Sequence, residues 1–300
     1  MGKQLREVTS PELKQRSAKI HEILARPMKD KKSRLSLYVI RFAIGKLYRS
    51  IPRDRDVDYS KSKLGGTKVI KAELKGGASN PGVIVYIHGG AFMSGSAGST
   101  RGYAGALAKL SGQRVYSIDY SLSPEVKYPV AFEECVKAVE ALVGDNRITL
   151  VGDSAGANLC LAVALKLKGK ISGVILNSPV VDFSDSIDRV KFNDTAIARK
   201  GLKSAFEKLY CGGHDPKDPF ISPYFGDFSG FPPTFITCDR DETLYADSEF
   251  VYEKCETAGT RVEMVAMKGA FHAFAVLGSA TPETTKLMED YLGFIYESTT

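Results

Sequence analysis

One short stretch near the middle of the chain constrains the fold more than any other, because it turns a strand directly into a helix. Residues 152–156 read Gly-Asp-Ser-Ala-Gly and fit the pattern G-x-S-x-G. Residues 147–151 before them are mostly β-branched and apolar, as in a buried strand, and residues 157–168 after them are typical of a helix. The flanking glycines allow the two elements to pass closely. This setting predicts a nucleophile elbow that exposes Ser154 at the top of a sheet.

A serine hydroxyl needs a base before it can act as a nucleophile. The chain contains four histidines, namely His21, His88, His214 and His272. His214 lies in a polar turn with neighbouring Gly and Pro, which indicates a solvated loop residue. His272 follows the strand-like residues 262–267, and a loop at a strand end is where a base is expected. We therefore predict His272 as the base, with a packed aromatic-cluster residue as the alternative interpretation.

A second glycine-containing loop follows a predicted buried strand at residues 82–87. This loop, residues 88–92, reads His-Gly-Gly-Ala-Phe and resembles the HGGG-type loop that stabilises a developing oxyanion. The predicted donors are the backbone N–H groups of Gly89, Gly90 and Ala155. His88 is expected to fix the loop by hydrogen bonds rather than to take part in the chemistry.

Taken in order, these motifs resemble the hormone-sensitive-lipase-like (bacterial class IV) branch of the α/β-hydrolase fold. The resemblance covers about residues 80–298 and also includes residues 119–125, 128–134 and 218–223. It implies an α/β-hydrolase fold with a helical cap, the chain order nucleophile, acid, base, and no metal or organic cofactor. The chain departs from the family at three positions: Ala91 stands where a third glycine is common, and Ser121 and Ser123 replace arginine and alanine.

Three carboxylates compete for the role of the acid that orients the base. Asp239, Asp241 and Glu242 all follow the strand-like residues 232–238, where a carboxylate can reach the far imidazole nitrogen. The residues alone leave this choice open. The family resemblance implies about thirty positions between acid and histidine, which selects Glu242 and leaves Asp241 as the runner-up. Most members of the family have aspartate there.

Composition fits one large soluble domain, with 300 residues of which 43% are hydrophobic and 25% charged. Five scattered cysteines form no C-x-x-C pair, so we expect neither a zinc site nor a disulfide framework. A reducing, cytoplasmic location is the simplest interpretation. The N-terminus lacks a signal-peptide pattern, and no apolar run is long enough to insert stably into a membrane.

Positive charge is concentrated in the first quarter of the chain. Residues 1–75 contain 20 Lys and Arg against 8 Asp and Glu, a net charge of +12, whereas the whole chain carries +6 and the remainder therefore −6. Within this region, residues 35–48 have apolar side chains around much of a predicted helix. We interpret them as part of a cap, with a membrane- or droplet-touching segment as the alternative. Because no nucleic-acid-binding motif is present, no nucleic acid partner is expected.

The domain organisation follows from these patterns. Residues 1–60 are predicted to be helical, starting near Ser10-Pro11, and to form the N-terminal part of the cap. Residues 61–300 are predicted to form the catalytic domain. A second cap segment is expected at about 181–230, with a helix at 201–210.

From residue 82 onward, predicted strands and helices alternate, which favours a mostly parallel sheet covered by helices on both faces. Residues 68–74 alternate in polarity like an edge strand. The last helix is predicted at residues 282–296.

These features predict a serine carboxylesterase that hydrolyses small-molecule esters through an acyl-enzyme intermediate. The preference for short to medium acyl chains is implied by the family resemblance, as is a possible homodimer. Two alternatives stay open: an amidase, deacetylase or arylformamidase on the same triad, and a catalytically silent ligand receptor.

Overall fold

The computed structural model describes residues 2–25, 34–144, 147–189 and 207–299. Within these ranges the strands are β1 (Lys3–Glu7), β2 (Val57–Leu64), β3 (Thr67–Leu74), β4 (Val83–Ile87), β5 (Arg114–Ile118), β6 (Ile148–Asp153), β7 (Gly173–Asn177), β8 (Thr234–Asp239) and β9 (Val262–Lys268). They form one sheet in the order β1-β9-β8-β7-β6-β4-β5-β3-β2.

The sheet is parallel from β1 through to β5. At the other end β3 pairs antiparallel with both β5 and β2, so β3 alone runs opposite to the remaining strands. Every residue of β4, β6 and β7 is buried. Parallel strands covered on both faces read as continuous apolar runs, which is why these strands were recognisable in the sequence. The prediction of a mostly parallel sheet is confirmed.

Helices cover both faces of this sheet. They are α1 (Pro11–Ala25), α2 (Arg34–Arg49), α3 (Arg101–Ser111), α4 (Val130–Glu140), α5 (Ala155–Lys166), α6 (Tyr245–Thr257) and α7 (Pro282–Thr299). One core layer contains apolar side chains of α4, α5 and α6, such as Val136, Leu161 and Val251. The layer on the other face contains those of α3 and α7, such as Leu107 and Tyr291. The site-bearing loops lie at the carboxyl ends of the central strands between these layers.

The prediction that residues 1–60 are helical is wrong at both ends. Residues Lys3–Glu7 form β1, which pairs in parallel with β9. This strand is polar and half exposed, so its hydrogen bonds to β9 stabilise it rather than any local apolar pattern. The region also ends in a strand, because β2 begins at Val57. Between them, α1 begins at Pro11 as predicted, and the Ser10 hydroxyl caps it by accepting the Leu13 N–H.

Residues 68–74 do form a strand, but the prediction that it lies at the sheet edge is wrong. β3 is paired on one side with β2 and on the other with β5. The edge is β2, whose largely exposed Asp, Ser and Lys residues conceal it in the sequence.

The helix predicted at residues 201–210 falls mostly outside the described residues, whose nearest segment is a π-helical turn at Glu207–Cys211. The second cap segment at 181–230 is likewise described only in part, and the domain boundaries stay a prediction. In the described part of the chain, no helix has the length and apolar character needed to cross a bilayer. All five cysteines are buried.

Candidate active site

The turn between β6 and α5 has the geometry expected of a nucleophile elbow. Ser154 lies between the two elements with φ 54° and ψ −117°, a conformation that non-glycine residues rarely adopt. Such strain persists only where the surroundings enforce it, and it concentrates at functional sites. The Ser154 N–H donates to the Asn177 carbonyl on β7 at 2.8 Å, which ties the turn to the neighbouring strand.

Close packing explains why glycine is required on both sides of Ser154. A Cβ atom on Gly156 would lie 2.0 Å from the Ile87 carbonyl oxygen, at the end of β4. A Cβ atom on Gly152 would lie 2.7 Å from the Cys160 sulfur on α5. Backbone atoms that approach this closely leave no room for a side chain, so the G-x-S-x-G spacing is dictated by the crossing of β4, β6 and α5.

His272 lies between Ser154 and Glu242 and contacts both. Its Nε2 is 2.9 Å from the Ser154 Oγ, and its Nδ1 is 2.6 Å from the Glu242 Oε2. A carboxylate only accepts, so Nδ1 carries the proton and Nε2 is free to accept the Ser154 hydroxyl. Glu242 is 1% exposed and the His272 side chain 18% exposed, so the ion-pairing end is shielded while the serine end is open to a substrate.

The Glu242 carboxylate is fixed by one partner directly after β7 and one at the end of β8. Its Oε1 accepts the Ser178 hydroxyl at 2.5 Å and the Asp239 N–H at 3.0 Å. The Ser178 oxygen in turn accepts the Ala273 N–H at 3.0 Å, directly beside His272. Ser178 thus joins the acid loop to the base loop. Sequence reasoning missed it, although its place directly after the predicted strand at 173–177 is a usable signal.

The other two candidate acids lie elsewhere. Asp241 is exposed, and the carboxylate that contacts the imidazole Nδ1 is that of Glu242. Asp239 is buried at the end of β8, where burial, with the nearby Glu242 charge second, raises its pKa to about 7. The structure therefore brings Glu242, rather than Asp239 or Asp241, to the imidazole.

Two further histidines, His214 and His88, have other partners. His214 is exposed and contacts the Tyr128 ring edge-on at 5.0 Å. His88 is fully buried, stacks on Tyr120 at 4.4 Å, and places its Nδ1 2.8 Å from the Gly89 carbonyl. Burial lowers the pKa of His88, which keeps the ring neutral. These contacts suit a residue that shapes the loop.

Among the described residues, two of the three predicted oxyanion donors have an available N–H group: Gly90 in the glycine loop after β4 and Ala155 at the start of α5. The Gly89 N–H donates to the Asp153 carboxylate at 3.0 Å and is therefore already engaged. Among the described residues, the N–H groups of Gly90 and Ala155 have no such acceptor. Gly90 has φ 116°, and a Cβ atom there would lie 2.3 Å from the Ser94 carbonyl oxygen, so glycine is required.

The Asp153 carboxylate, next to Ser154, is buried and gathers three donors. Besides the Gly89 N–H, it accepts the Tyr86 hydroxyl at 2.6 Å and the Tyr48 hydroxyl at 2.5 Å. Burial, and then the Asp153 charge, raises the pKa of both tyrosines well above its usual range, so both stay protonated donors. Tyr48 belongs to α2, and nothing in the local sequence marks it as a partner of Asp153.

A second residue of α2, Arg41, holds the same loop from outside. Its guanidinium donates to the carbonyls of Met93 and Ser123, and it binds Glu125 through two hydrogen bonds of 2.6 and 2.8 Å. The hydrogen bond from Arg41 lowers the pKa of Glu125 to about 2. Charge-assisted bidentate pairs of this kind fix geometry well.

One departure from the family pattern has a structural explanation. The N–H and hydroxyl of Ser121 bind the two carboxylate oxygens of Glu134 at 2.6 and 2.8 Å. The serine side chain thus supplies one donor to this carboxylate, beside the backbone N–H, where the family has arginine.

Within residues 2–25, 34–144, 147–189 and 207–299, no three His, Cys, Asp or Glu side chains gather as metal ligands would. The groups gathered at the site are the Ser154 hydroxyl, the His272 imidazole, the Glu242 carboxylate and the backbone donors.

The chain is similar to known proteins over most of its length. A family model described as the alpha/beta hydrolase fold matches residues 84–276. An esterase of Acinetobacter venetianus is 32% identical over 266 residues, which cover 85% of this chain and 87% of that protein. An acetyl-hydrolase of Streptomyces hygroscopicus is 29% identical over 228 residues, covering 72% of this chain and 76% of that protein.

Among solved structures, a hormone-sensitive lipase from a metagenome library superposes with a TM-score of 0.81 at 30% identity, covering 94% of this chain and 98% of that one. The chain belongs to the α/β-hydrolase fold family and, within it, to the hormone-sensitive-lipase-like esterases.

Proposed function

We propose that the protein is a serine carboxylesterase in which Ser154, His272 and Glu242 form the triad. The observation that carries the proposal is the continuous chain of contacts from the Ser154 Oγ through the imidazole to Glu242, at 2.9 and 2.6 Å. A nucleophile in contact with a base that is itself oriented by a third group is the geometry that acyl transfer requires.

In the acylation half of the reaction, Ser154 attacks the ester carbonyl while the His272 Nε2 takes the hydroxyl proton. Glu242 holds the Nδ1 proton in place and stabilises the imidazolium that forms. The protonated His272 then donates to the leaving alcohol. The Ser178 and Asp239 donors keep the Glu242 carboxylate fixed in orientation during this step.

The developing oxyanion is stabilised by the Gly90 and Ala155 N–H groups. Ala155 lies at the N-terminus of α5, whose dipole also favours negative charge there. Gly89 has a supporting role in this proposal, because its N–H is held by Asp153. Water activated by His272 then cleaves the acyl-enzyme through a second oxyanion at the same donors.

We assign α2 to the cap over this site. Tyr48 and Arg41 place the helix against the glycine loop and the loop around Ser123. A packed lid of this kind excludes water from the reaction centre and limits the size of the alcohol and acyl groups.

The proposed substrates are esters with short to medium acyl chains. In support, large aromatic rings crowd the glycine loop: Phe92 stacks on Tyr210 at 3.7 Å, and Phe183 lies 6.0 Å from Phe92. The name of the Streptomyces acetyl-hydrolase points to the same short-chain class.

The test is a panel of p-nitrophenyl acetate, butyrate, octanoate and palmitate, with wild type beside Ser154→Ala. We expect hydrolysis that is strongest for the shorter esters and falls at least about 10⁴-fold in the variant. Activity that survives in Ser154→Ala would contradict the mechanism. Activity on amides alone would favour the amidase alternative, and no activity on either class would favour the silent receptor.

A further inference from the structure

A cavity of about 690 Å³ lies between the β2–β3 hairpin and the residues that lead into α3. Its rim includes Lys61, Lys63, Lys68, Arg101, Ser96 and Asp119. Neither Ser154 nor His272 lines it, so it is distinct from the candidate active site. The cavity is of the size that small-molecule sites usually have.

Strand register places all three of these lysines on the same face of the β2–β3 hairpin. Lys63 is directly opposite Lys68, and Lys61 lies two residues further along β2, opposite Ile70. Directly opposed residues of antiparallel strands project side by side, and like charges in such a pair are destabilising. The hairpin therefore carries an unfavourable cluster of charge that its fold alone does not require.

Several lysines elsewhere in the described structure have carboxylate partners. Lys109 pairs with Asp54 and Asp56, and Lys168 pairs with Asp227. For the three cavity lysines, the described part of the chain supplies no such ion pair. Asp119 is the one carboxylate on the rim among the described residues, and its Oδ1 already accepts the Ala97 N–H.

Arg101 adds an independent observation. Its Nε is buried and has no hydrogen-bond acceptor within residues 2–25, 34–144, 147–189 and 207–299. A buried N–H without an acceptor is costly, and native structures rarely keep one unless a ligand or water satisfies it. Four cationic side chains, one of them with an unsatisfied donor, thus surround the same space.

We propose that this cavity binds a small phosphate-bearing molecule. Phosphate carries up to two negative charges and several strong acceptor oxygens, which match three lysine ammonium groups and a guanidinium. The buried side of the cavity includes Val69 and Ile70, which would accommodate the organic part of a phosphate monoester. This site is independent of the esterase chemistry proposed for Ser154.

The test is calorimetric titration of the full chain with inorganic phosphate and with glycerol 3-phosphate, at ionic strength matched with sodium chloride. Wild type should bind saturably. Lys63→Gln/Lys68→Gln should weaken binding by about tenfold or more, because two charged donors are lost. In the same variant we expect an unchanged or raised melting temperature, since the like-charge pair is removed, and an unchanged rate of ester hydrolysis.

Lys14→Gln/Lys19→Gln is the matched control. Both lysines are exposed on α1, and this double variant changes the net charge by the same amount as the hairpin variant. Binding that is kept in this control and lost in the hairpin variant supports the site. Equal weakening in both variants, or no saturable binding to any phosphate, would overturn it.

A parallel titration with phosphatidic acid vesicles distinguishes the source of the phosphate. Vesicle binding that depends on Lys63 and Lys68, without binding of the soluble phosphates, would assign the site to a lipid headgroup.

Discussion

The two sides of the candidate active site are held by different parts of the fold. Ser154 and Glu242 follow closely on the carboxyl ends of β6 and β8, and His272 follows β9. Their positions are therefore set by the order of the sheet and by short loops. The backbone bond from Ser154 to β7 belongs to the same framework.

The glycine loop on the other side depends on distant side chains. Tyr48 reaches it through Asp153, across 105 positions of sequence, and Arg41 binds its Met93 carbonyl across 52 positions. The comparison teaches that sheet topology positions Ser154, Glu242 and His272, whereas the glycine loop, which carries the proposed donor Gly90, is held by tertiary contacts with α2. Substitutions on the two sides should accordingly differ in the size of their effects and in whether they change kcat, KM or stability.

Of the substitutions that compare the two sides, the largest loss of activity is expected at Glu242, the proposed acid of the triad. Glu242→Gln leaves the shape intact but removes the charge that orients and stabilises the imidazolium, so kcat should fall about 10²–10⁴-fold. Asp241→Asn is the matched control, because Asp241 lies one residue before Glu242 in the same loop but is exposed, and the imidazole Nδ1 contacts Glu242. We expect it to change kcat by less than about threefold. Equal losses in the two variants would contradict the assignment of Glu242.

A smaller effect, on stability, is expected from the second carboxylate beside Glu242. The pKa of Asp239 is raised from 3.8 to about 7. Between these values the folded protein keeps a proton that the unfolded chain has released, so stability falls as pH rises, and it levels off above pH 7.

Asp239→Asn removes this dependence. The free energy of unfolding of Asp239→Asn minus that of wild type should increase by roughly 1–3 kcal/mol from pH 5 to pH 7. Above pH 7 the difference should stay constant. Urea denaturation at pH 5, 6, 7 and 8 measures it. A difference that does not change with pH would show that Asp239 titrates as an ordinary carboxyl group.

On the loop side, the hydroxyl of Tyr48 should have the smallest of these effects. Tyr48→Phe takes one of three donors from the buried Asp153, which also holds the Gly89 N–H. We expect kcat to fall about tenfold with KM within about twofold, since the oxyanion donors act mainly in the transition state.

Tyr210→Phe serves as the control for this variant. Tyr210 is also buried and stacks on Phe92 of the same loop, but its hydroxyl has no hydrogen-bond partner among the described residues. Its kcat should stay near that of wild type. If Tyr48→Phe raised KM without lowering kcat, α2 would act on substrate binding instead of on the glycine loop.

The contrast between the two sides also explains what the sequence could predict. Ser154 and His272 sit beside buried apolar strands with local signals, and the family resemblance selected Glu242 among three neighbouring acids. The alternation of strands and helices after residue 82 predicted the parallel sheet for the same reason. These features depend on periodicity and turn chemistry, which are local.

What the sequence did not indicate depends on contacts between distant segments. β1 is polar and is stabilised by pairing with β9, and β2 is concealed by its exposed lysines. The capture of the Gly89 N–H by Asp153 also depends on tertiary placement, since Asp153 is 64 positions away. Ser178 and Tyr48 act through similar long-range hydrogen bonds.

The most direct test of the central claim is covalent labelling of the nucleophile. Wild type and Ser154→Ala would be treated with diethyl p-nitrophenyl phosphate, and the adduct would be located by peptide mass spectrometry. The account predicts one diethylphosphoryl group on Ser154, loss of esterase activity in proportion to labelling, and no adduct in the variant. An adduct on another residue, or full inhibition of hydrolysis without modification of Ser154, would contradict it.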